Sequence, residues 1–143
     1  LLERNKMENE YKMIFKTVGM GTTIWSPMAS GLLSGKYNNG IPDDSRFAIQ
    51  GFDWLKDRWM KDDLLHKVKQ LGNLANEIGT TMPQLSIAWC IKNPDVTTAI
   101  LGATKKEQLL DNLKATSAVE KLTGEVMQKI EDIVQTKPIL PEY

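Results

Sequence analysis

Apolar side chains recur at steps of three and four along most of the chain, the spacing that lines one face of an α-helix. This predicts a helix over residues 6–16, with Tyr11, Ile14 and Phe15 on one face and Gly19 and Gly21 ending it. A second follows Met60, where Leu64, Leu65, Val68, Leu71, Leu74, Ala75 and Ile78 mark a core face and Gly79 stands at the C-cap. In a third, Thr80 or Thr81 is the cap and Pro83 sits in the first turn, where its missing N–H costs nothing. Leu85, Ile87, Ala88, Trp89 and Ile91 make that helix apolar nearly all round and predict its burial. Thr104-Lys105-Lys106-Glu107 fits a capping box, opening a helix with Leu109, Leu110 and Leu113 as its apolar stripe. Thr123 opens the last helix, with Val126, Ile130, Ile133 and Val134 inward and Leu122 and Met127 placed as a hydrophobic staple.

Two short runs lack this spacing. Thr22-Thr23-Ile24-Trp25 is β-branched and aromatic and is stopped by Ser26-Pro27, since proline cannot donate the next ladder hydrogen bond. Val96-Thr97-Thr98-Ala99-Ile100-Leu101 lies between Asn93-Pro94 and Gly102. Both read as short buried strands. Residues 28–51 carry Gly31, Gly35, Asn38-Asn39-Gly40 and Pro42-Asp43-Asp44-Ser45, turn formers dense enough to predict one long loop. Strands that lead into helices describe βα units of a parallel α/β protein. Two parallel strands need neighbours on either side, because an unpaired edge leaves backbone donors and acceptors without partners. A (β/α)₈ barrel takes roughly 250 residues, about 30 per unit, so residues 1–143 read as one partial domain, the C-terminal portion of a TIM barrel with about six units absent. The opening Leu1-Leu2-Glu3-Arg4, in place of Met, fits the expectation of residues upstream, and the chain closes on a polar tail from Lys137 to Tyr143.

Composition narrows the function classes. With 41% hydrophobic and 25% charged residues, the 143-residue chain has the make-up of a soluble globular domain and not of a collagen, a disordered chain or a membrane span. Its 18 basic side chains balance 18 acidic ones, so no long-range field gathers a phosphate backbone or an anionic bilayer; nucleic-acid binding and membrane insertion are not expected. One cysteine makes neither an internal disulfide nor a cysteine-based zinc site, and it fits a reducing cytoplasm.

Candidate chemistry lies where the strands end, because barrels of this kind place their sites at the C-terminal ends of strands and commonly hold phosphates with the last two loops. Gly102 lets backbone approach a ligand, Thr104 adds a hydroxyl, and the helix amides behind them favour an anion. Lys105 and Lys106 strengthen that field, while Gln108, Asp111 and Asn112 follow at helical spacing with groups able to bond a sugar or base. An ordinary capped helix accounts for the same residues. After the first strand, Lys36 and Arg46 in the long loop suit a pyrophosphate or second phosphate, and equally a solvated loop. Trp25 suits stacking on a flat ring, or the core. His66 lies off its helix's apolar face and reads as surface; Cys90, beside Trp89, reads as packing. Asp43-Asp44 and Asp62-Asp63 read as turn and helix-start residues, and no dinucleotide fingerprint, P-loop or metal-ligand cluster is present in the sequence.

The run from Thr22-Thr23-Ile24-Trp25-Ser26-Pro27-Met28-Ala29-Ser30-Gly31 to Ser34-Gly35-Lys36-Tyr37, then Gly40-Ile41-Pro42, Ser45-Arg46 and Trp54-Leu55-Lys56-Asp57, closely resembles the aldo-keto reductases of the voltage-gated potassium channel β-subunit group. Pro83-Gln84-Leu85-Ser86-Ile87-Ala88-Trp89-Cys90, Leu101-Gly102-Ala103-Thr104, Glu107-Gln108 and Asn112 continue the match over almost the whole chain. The resemblance implies a (β/α)₈ barrel that binds NADP(H) and reduces small aldehydes and ketones. It implies that Trp25 packs on the nicotinamide and that Ser26, Pro27, Met28, Ala29 and Ser30 line the pyrophosphate side. It likewise places Lys36 and Arg46 near the phosphates and adenine, and Gly102, Thr104, Gln108, Asp111 and Asn112 at the adenosine 2′-phosphate end. Met28 stands where leucine is usual and Asp111 where glutamate is usual; the shorter carboxylate implies a looser adenine contact. The family's catalytic Asp, Tyr, Lys and His lie on earlier strands and nothing in this chain matches them, so Tyr11, Tyr37 and Tyr143 are not expected to act as the acid. The group also implies, as an alternative, an accessory partner of a potassium channel's cytoplasmic domain, or a homo-oligomer.

Overall fold

In the computed structural model, which describes residues 1–139, the two β-branched runs pair side by side. Strands β1 (Thr22–Trp25) and β2 (Val96–Ile100) are parallel, with Thr22 opposite Val96, Thr23 opposite Thr98 and Trp25 opposite Ile100. The register slips between Thr22 and Thr23, which leaves Thr97 bulged beside Gly21. A Cβ on Gly21 would stand 2.0 Å from Thr97 Oγ1 and 3.3 Å from Thr97 Cβ. Gly21→Ala is therefore expected to cost about 1–3 kcal/mol through overpacking. Thermal unfolding should show the loss and should show most of it recovered by adding Thr97→Ala; an unchanged Tm for Gly21→Ala would contradict this reading of the bulge.

Neither strand is buried, contrary to the sequence expectation: Trp25 is 78% exposed and Ile100 lies open beside it. Among the described residues each strand has one strand neighbour, so its outer edge and much of its face meet solvent.

The helices form where the periodicity placed them, with exceptions that have tertiary causes. The first divides into a π-helical turn (Lys6–Glu10) and α1 (Lys12–Val18), closed by Gly19 in the left-handed region. Phe15 is buried but Tyr11 and Ile14 are exposed, because no described element covers that side. The long loop is ordered by its own apolar residues: Leu32, Leu33, Tyr37 and Phe47 are buried, and the Tyr37 and Phe47 rings stack at 4.2 Å. Two 3₁₀ segments (Ala29–Ser34 and Arg46–Ala48) and then α2 (Asp53–Trp59), a helix that the periodicity did not announce, complete that region.

Helix α3 (Asp62–Glu77) buries Val68, Leu71, Leu74 and Ala75. It ends in a Schellman motif, with Gly79 N–H donating to the Asn76 carbonyl at 3.0 Å and Thr80 N–H to that of Ala75 at 2.9 Å. Thr81 caps α4 (Met82–Ile91), its hydroxyl accepting from Gln84 N–H at 3.3 Å. As expected, α4 is buried almost all round: α3, α5 (Lys106–Leu113), α6 (Ala115–Ala118) and β2 all pack on it. Thr123 caps α7 (Gly124–Val134), which buries Val126, Ile130 and Val134, and Leu122 and Met127 join the same core. Arg4 ties the opening segment to α7: its guanidinium lies over the Trp89 ring at 4.9 Å and donates to Glu8 and, at 2.6 and 2.7 Å, to both Glu131 oxygens.

Two expectations about α5 fail. The helix starts at Lys106, one residue later than the proposed capping box requires, so Glu107 does not reach back to the backbone amide of Thr104; Gln108 does, accepting from Thr104 N–H at 3.0 Å. Leu109, Leu110 and Leu113 also face outward instead of forming a buried stripe, since α5 packs on α4 and α6 by its other side. No helix among the described residues is long and apolar enough to cross a membrane. The last four residues, including Tyr143, lie outside the described part.

Candidate functional site

Because β1 and β2 run parallel, the segments that follow Trp25 and Ile100 leave the sheet at the same end. One is the turn Ser26-Pro27-Met28-Ala29-Ser30, the other the approach to α5 through Gly102 and Thr104. An exposed Lys105–Asp44 ion pair at 3.9 Å links the long loop beyond that turn to the second segment. Such a pair adds little stability in solvent, but it records that the long loop reaches the start of α5.

The turn after β1 is wound tightly. Ser26, Ala29 and Ser30 all have positive φ, a conformation that L-residues adopt at a cost of about 1–2 kcal/mol each. Internal hydrogen bonds hold it: Ala29 N–H donates to the Ser26 carbonyl, Ser30 N–H to Ser26 Oγ and Gly31 N–H to the Met28 carbonyl, each at 2.9 Å. The amides of Ala29, Ser30 and Gly31 are thus engaged within the turn, and Ser26 keeps its hydroxyl hydrogen to donate elsewhere. Pro27 and Ala29 are buried, Met28 and Ser30 half-buried. Lys36 folds back over this turn, its Nζ 5.1 Å from the Tyr37 ring centre and 3.5 Å from where a Cβ on Gly31 would stand. Of the two fates open to Trp25, the core is not the one observed.

Arg46 is exposed, and neither it nor Lys36 makes an ion pair among the described residues. Beside Arg46, the Ser45 hydroxyl is buried with no hydrogen-bond partner among the described residues, as are Tyr37 Oη and Asn38 Oδ1. An unpartnered buried polar group is costly, so each of these atoms is a candidate for a partner that the described residues do not supply. Sequence reading took Ser45 for a turn former; its adjacency to Arg46 was the only signal.

At the second segment, the space beside Gly102 is open: an added Cβ would meet no atom within 4 Å. Both the amide and the hydroxyl of Thr104 point to Gln108 Oε1, at 3.0 and 3.3 Å, which fixes the loop to the first turn of α5. Asp111 and Asn112 are placed differently. Asn112 is buried, and the Asp111 carboxylate accepts from Gln84 Nε2 at 2.7 Å and from Thr81 Oγ1 at 3.1 Å, across the α4–α5 contact.

Elsewhere, His66 is exposed and Cys90 buried, as read from the sequence. Burial pushes the Cys90 thiol up from its ordinary range, so it stays protonated and poorly nucleophilic near neutral pH. Iodoacetamide should label it slowly in the native state and quickly in urea; rapid native labelling would contradict this. No group of three or more His, Cys, Asp or Glu side chains able to hold a metal occurs among the described residues.

The chain as a whole is similar to known proteins. The family model described as Aldo/keto reductase family matches residues 1–135. A protein of Oryza sativa subsp. japonica named "Probable voltage-gated potassium channel subunit beta" is 48% identical over 139 residues, 96% of this chain and 42% of its own length. One of the same name from Arabidopsis thaliana is 46% identical over 143 residues, 99% of this chain and 44% of its own. The chain therefore spans less than half the length of these curated relatives. With a family match that runs from Leu1 to just past the end of α7, and two relatives sharing nearly half its residues, the chain belongs to the aldo/keto reductase family.

Proposed function

We propose that this chain is the C-terminal portion of a (β/α)₈ barrel and supplies the NADP(H)-binding loops of an enzyme that reduces small aldehydes and ketones in the cytoplasm. The observation that carries the reading is the parallel pairing of Trp25 with Ile100, which brings both loops to one end of the sheet. The residues there fit the dinucleotide by their chemistry. Trp25 offers an open aromatic face to a flat ring. Lys36 and Arg46, with no carboxylate partner among the described residues, suit phosphate oxygens, Arg46 through its planar fork, and the Ser45 hydroxyl, unpartnered among the described residues, precedes Arg46 in the chain. Gly102, Thr104 and Gln108 offer open space, a hydroxyl and the start of a helix to the far phosphate.

When bound, NADPH supplies the hydride, and the protein's part is to hold and orient it. The tightly hydrogen-bonded turn from Ser26 to Gly31 gives the pyrophosphate side a fixed wall, and Trp25 limits where the reactive ring lies. The proton donor is assigned to the rest of the protein, since this chain has no match to the family's Asp, Tyr, Lys and His. Tyr37, buried against Phe47, is not available for that step. The chain alone is accordingly proposed to be inactive. In the complete protein, titration with NADPH followed by nicotinamide fluorescence should saturate, and Thr104→Ala should weaken binding about three- to tenfold. A titration without saturation would overturn the reading.

The printed names of the two plant relatives favour a second reading, an accessory subunit of a potassium channel. Trp54 of Trp54-Leu55-Lys56-Asp57 is exposed on α2 and available to such a partner, or to a second copy of the protein. Co-purification with a channel cytoplasmic domain separates this reading from a free-standing reductase.

A further inference from the structure

Away from the two loops, a cavity of about 460 Å³ lies where the opening helical turn, the end of α4 and α7 meet. That volume falls in the range of about 300–1,000 Å³ usual for small-molecule sites. Met7, Trp89 and Met127 give it apolar walls. It stands at the end of the sheet where the strands begin: Asp95 borders it immediately before β2, and the Asp95 carbonyl accepts from Thr22 Oγ1, at the start of β1, at 2.7 Å. The segments that follow Trp25 and Ile100 leave from the opposite end.

Three ammonium groups ring the cavity. Lys12, Lys92 and Lys137 all border it, and none makes an ion pair among the described residues. Lys12 is half-buried, where an unpaired charge costs more than on open surface. Arg4 is different, since Glu8 and Glu131 engage its guanidinium above the Trp89 ring. That cluster carries one negative charge in excess and Asp95 adds another, so the three lysines leave the rim with a positive surplus. Trp89 is 7% exposed, and its Nε1–H is a donor with no acceptor among the described residues. Apolar walls beneath a rim of unpaired ammonium groups fit a molecule that has both characters. The flexible thioethers of Met7 and Met127 adapt to an irregular apolar body, and lysine, as a point charge, accepts a compact anion from several directions.

We infer that this cavity binds a small amphipathic carboxylate, its apolar body against Met7, Trp89 and Met127 and its charged end among Lys12, Lys92 and Lys137. A neutral molecule with the same body gains the walls but not the rim. The site is independent of the NADP(H) reading, because it uses none of the residues at the other end of the strands.

The test is to titrate the complete protein with octanoate and with 1-octanol, following the ligand by NMR, with and without saturating NADPH. Octanoate should bind saturably with a Kd of about 1 mM or lower. Octanol should bind about threefold or more weakly, and added salt should narrow the gap. NADPH should leave the octanoate affinity unchanged within about twofold. Replacing the three lysines together, Lys12→Gln, Lys92→Gln and Lys137→Gln, should bring octanoate down to the level of octanol with no change in NADPH affinity. Met7→Trp, which fills part of the cavity, should weaken both ligands. Octanoate that does not saturate, or that binds no better than octanol, would overturn the inference, and neither measurement needs a variant to fold. Displacement of octanoate by NADPH, or a preference for octanoate that survives loss of the three lysines, would place the carboxylate elsewhere and overturn it too. Failure of NADPH itself to bind would strike only the reading of the loops.

Discussion

Leu85→Ala is expected to cost about 3–5 kcal/mol of folding free energy, a large part of the roughly 5–15 kcal/mol that a domain has in total. Leu85 is wholly buried in α4, the helix on which α3, α5, α6 and β2 all pack. A truncated side chain leaves a cavity that such a site fills poorly, because movement towards it from one side opens a gap on another. The loss therefore includes both the transfer of three carbons and the void. Urea unfolding of the complete protein reads it as a lower midpoint at unchanged slope. Leu85→Met, which nearly conserves volume, should cost less than about 1.5 kcal/mol. A loss below about 1 kcal/mol for the alanine variant would mean that α4 is not the centre of the packing.

Arg46→Ala should weaken NADPH binding by about tenfold, or ~1.4 kcal/mol, with little effect on stability. The side chain is exposed and makes no ion pair among the described residues, so its removal disturbs nothing already formed. What is lost is a charge-assisted contact to phosphate, and with it part of the salt dependence of binding, because exposed charge pairs weaken as ionic strength rises. Arg46→Lys keeps the charge but not the planar fork and should fall between the two. Fluorescence titration at low and high salt provides both readouts. Equal affinity of Arg46→Ala and the unaltered protein at low salt would remove Arg46 from the site and reopen the reading of the loop as merely solvated.

Much of the fold was legible because much of it is local. The three- and four-residue spacing from Leu64 to Ile78, the Thr81 and Thr123 caps, the Gly79 terminus and the β-branched runs of β1 and β2 all encode structure within a few residues of themselves, and each element formed where its pattern lay. The apolar character of Leu109, Leu110 and Leu113 was equally plain, but it said only that the side chains avoid water, not that a described element would cover them. Trp25 is a similar case, since the same tryptophan suits a core and an open strand end.

The amino-acid sequence by itself determined where β1, β2, α3, α4 and α7 lie and which residue types the two loops carry, because these depend on residue identity and near neighbours. Only the tertiary structure decided which side of α5 meets α4, that the register puts Trp25 beside Ile100, and that the Asp111 carboxylate turns to Thr81 and Gln84. Those outcomes depend on groups 27 or more residues apart finding the arrangement that leaves fewest polar atoms unpartnered, and no local pattern carries that information.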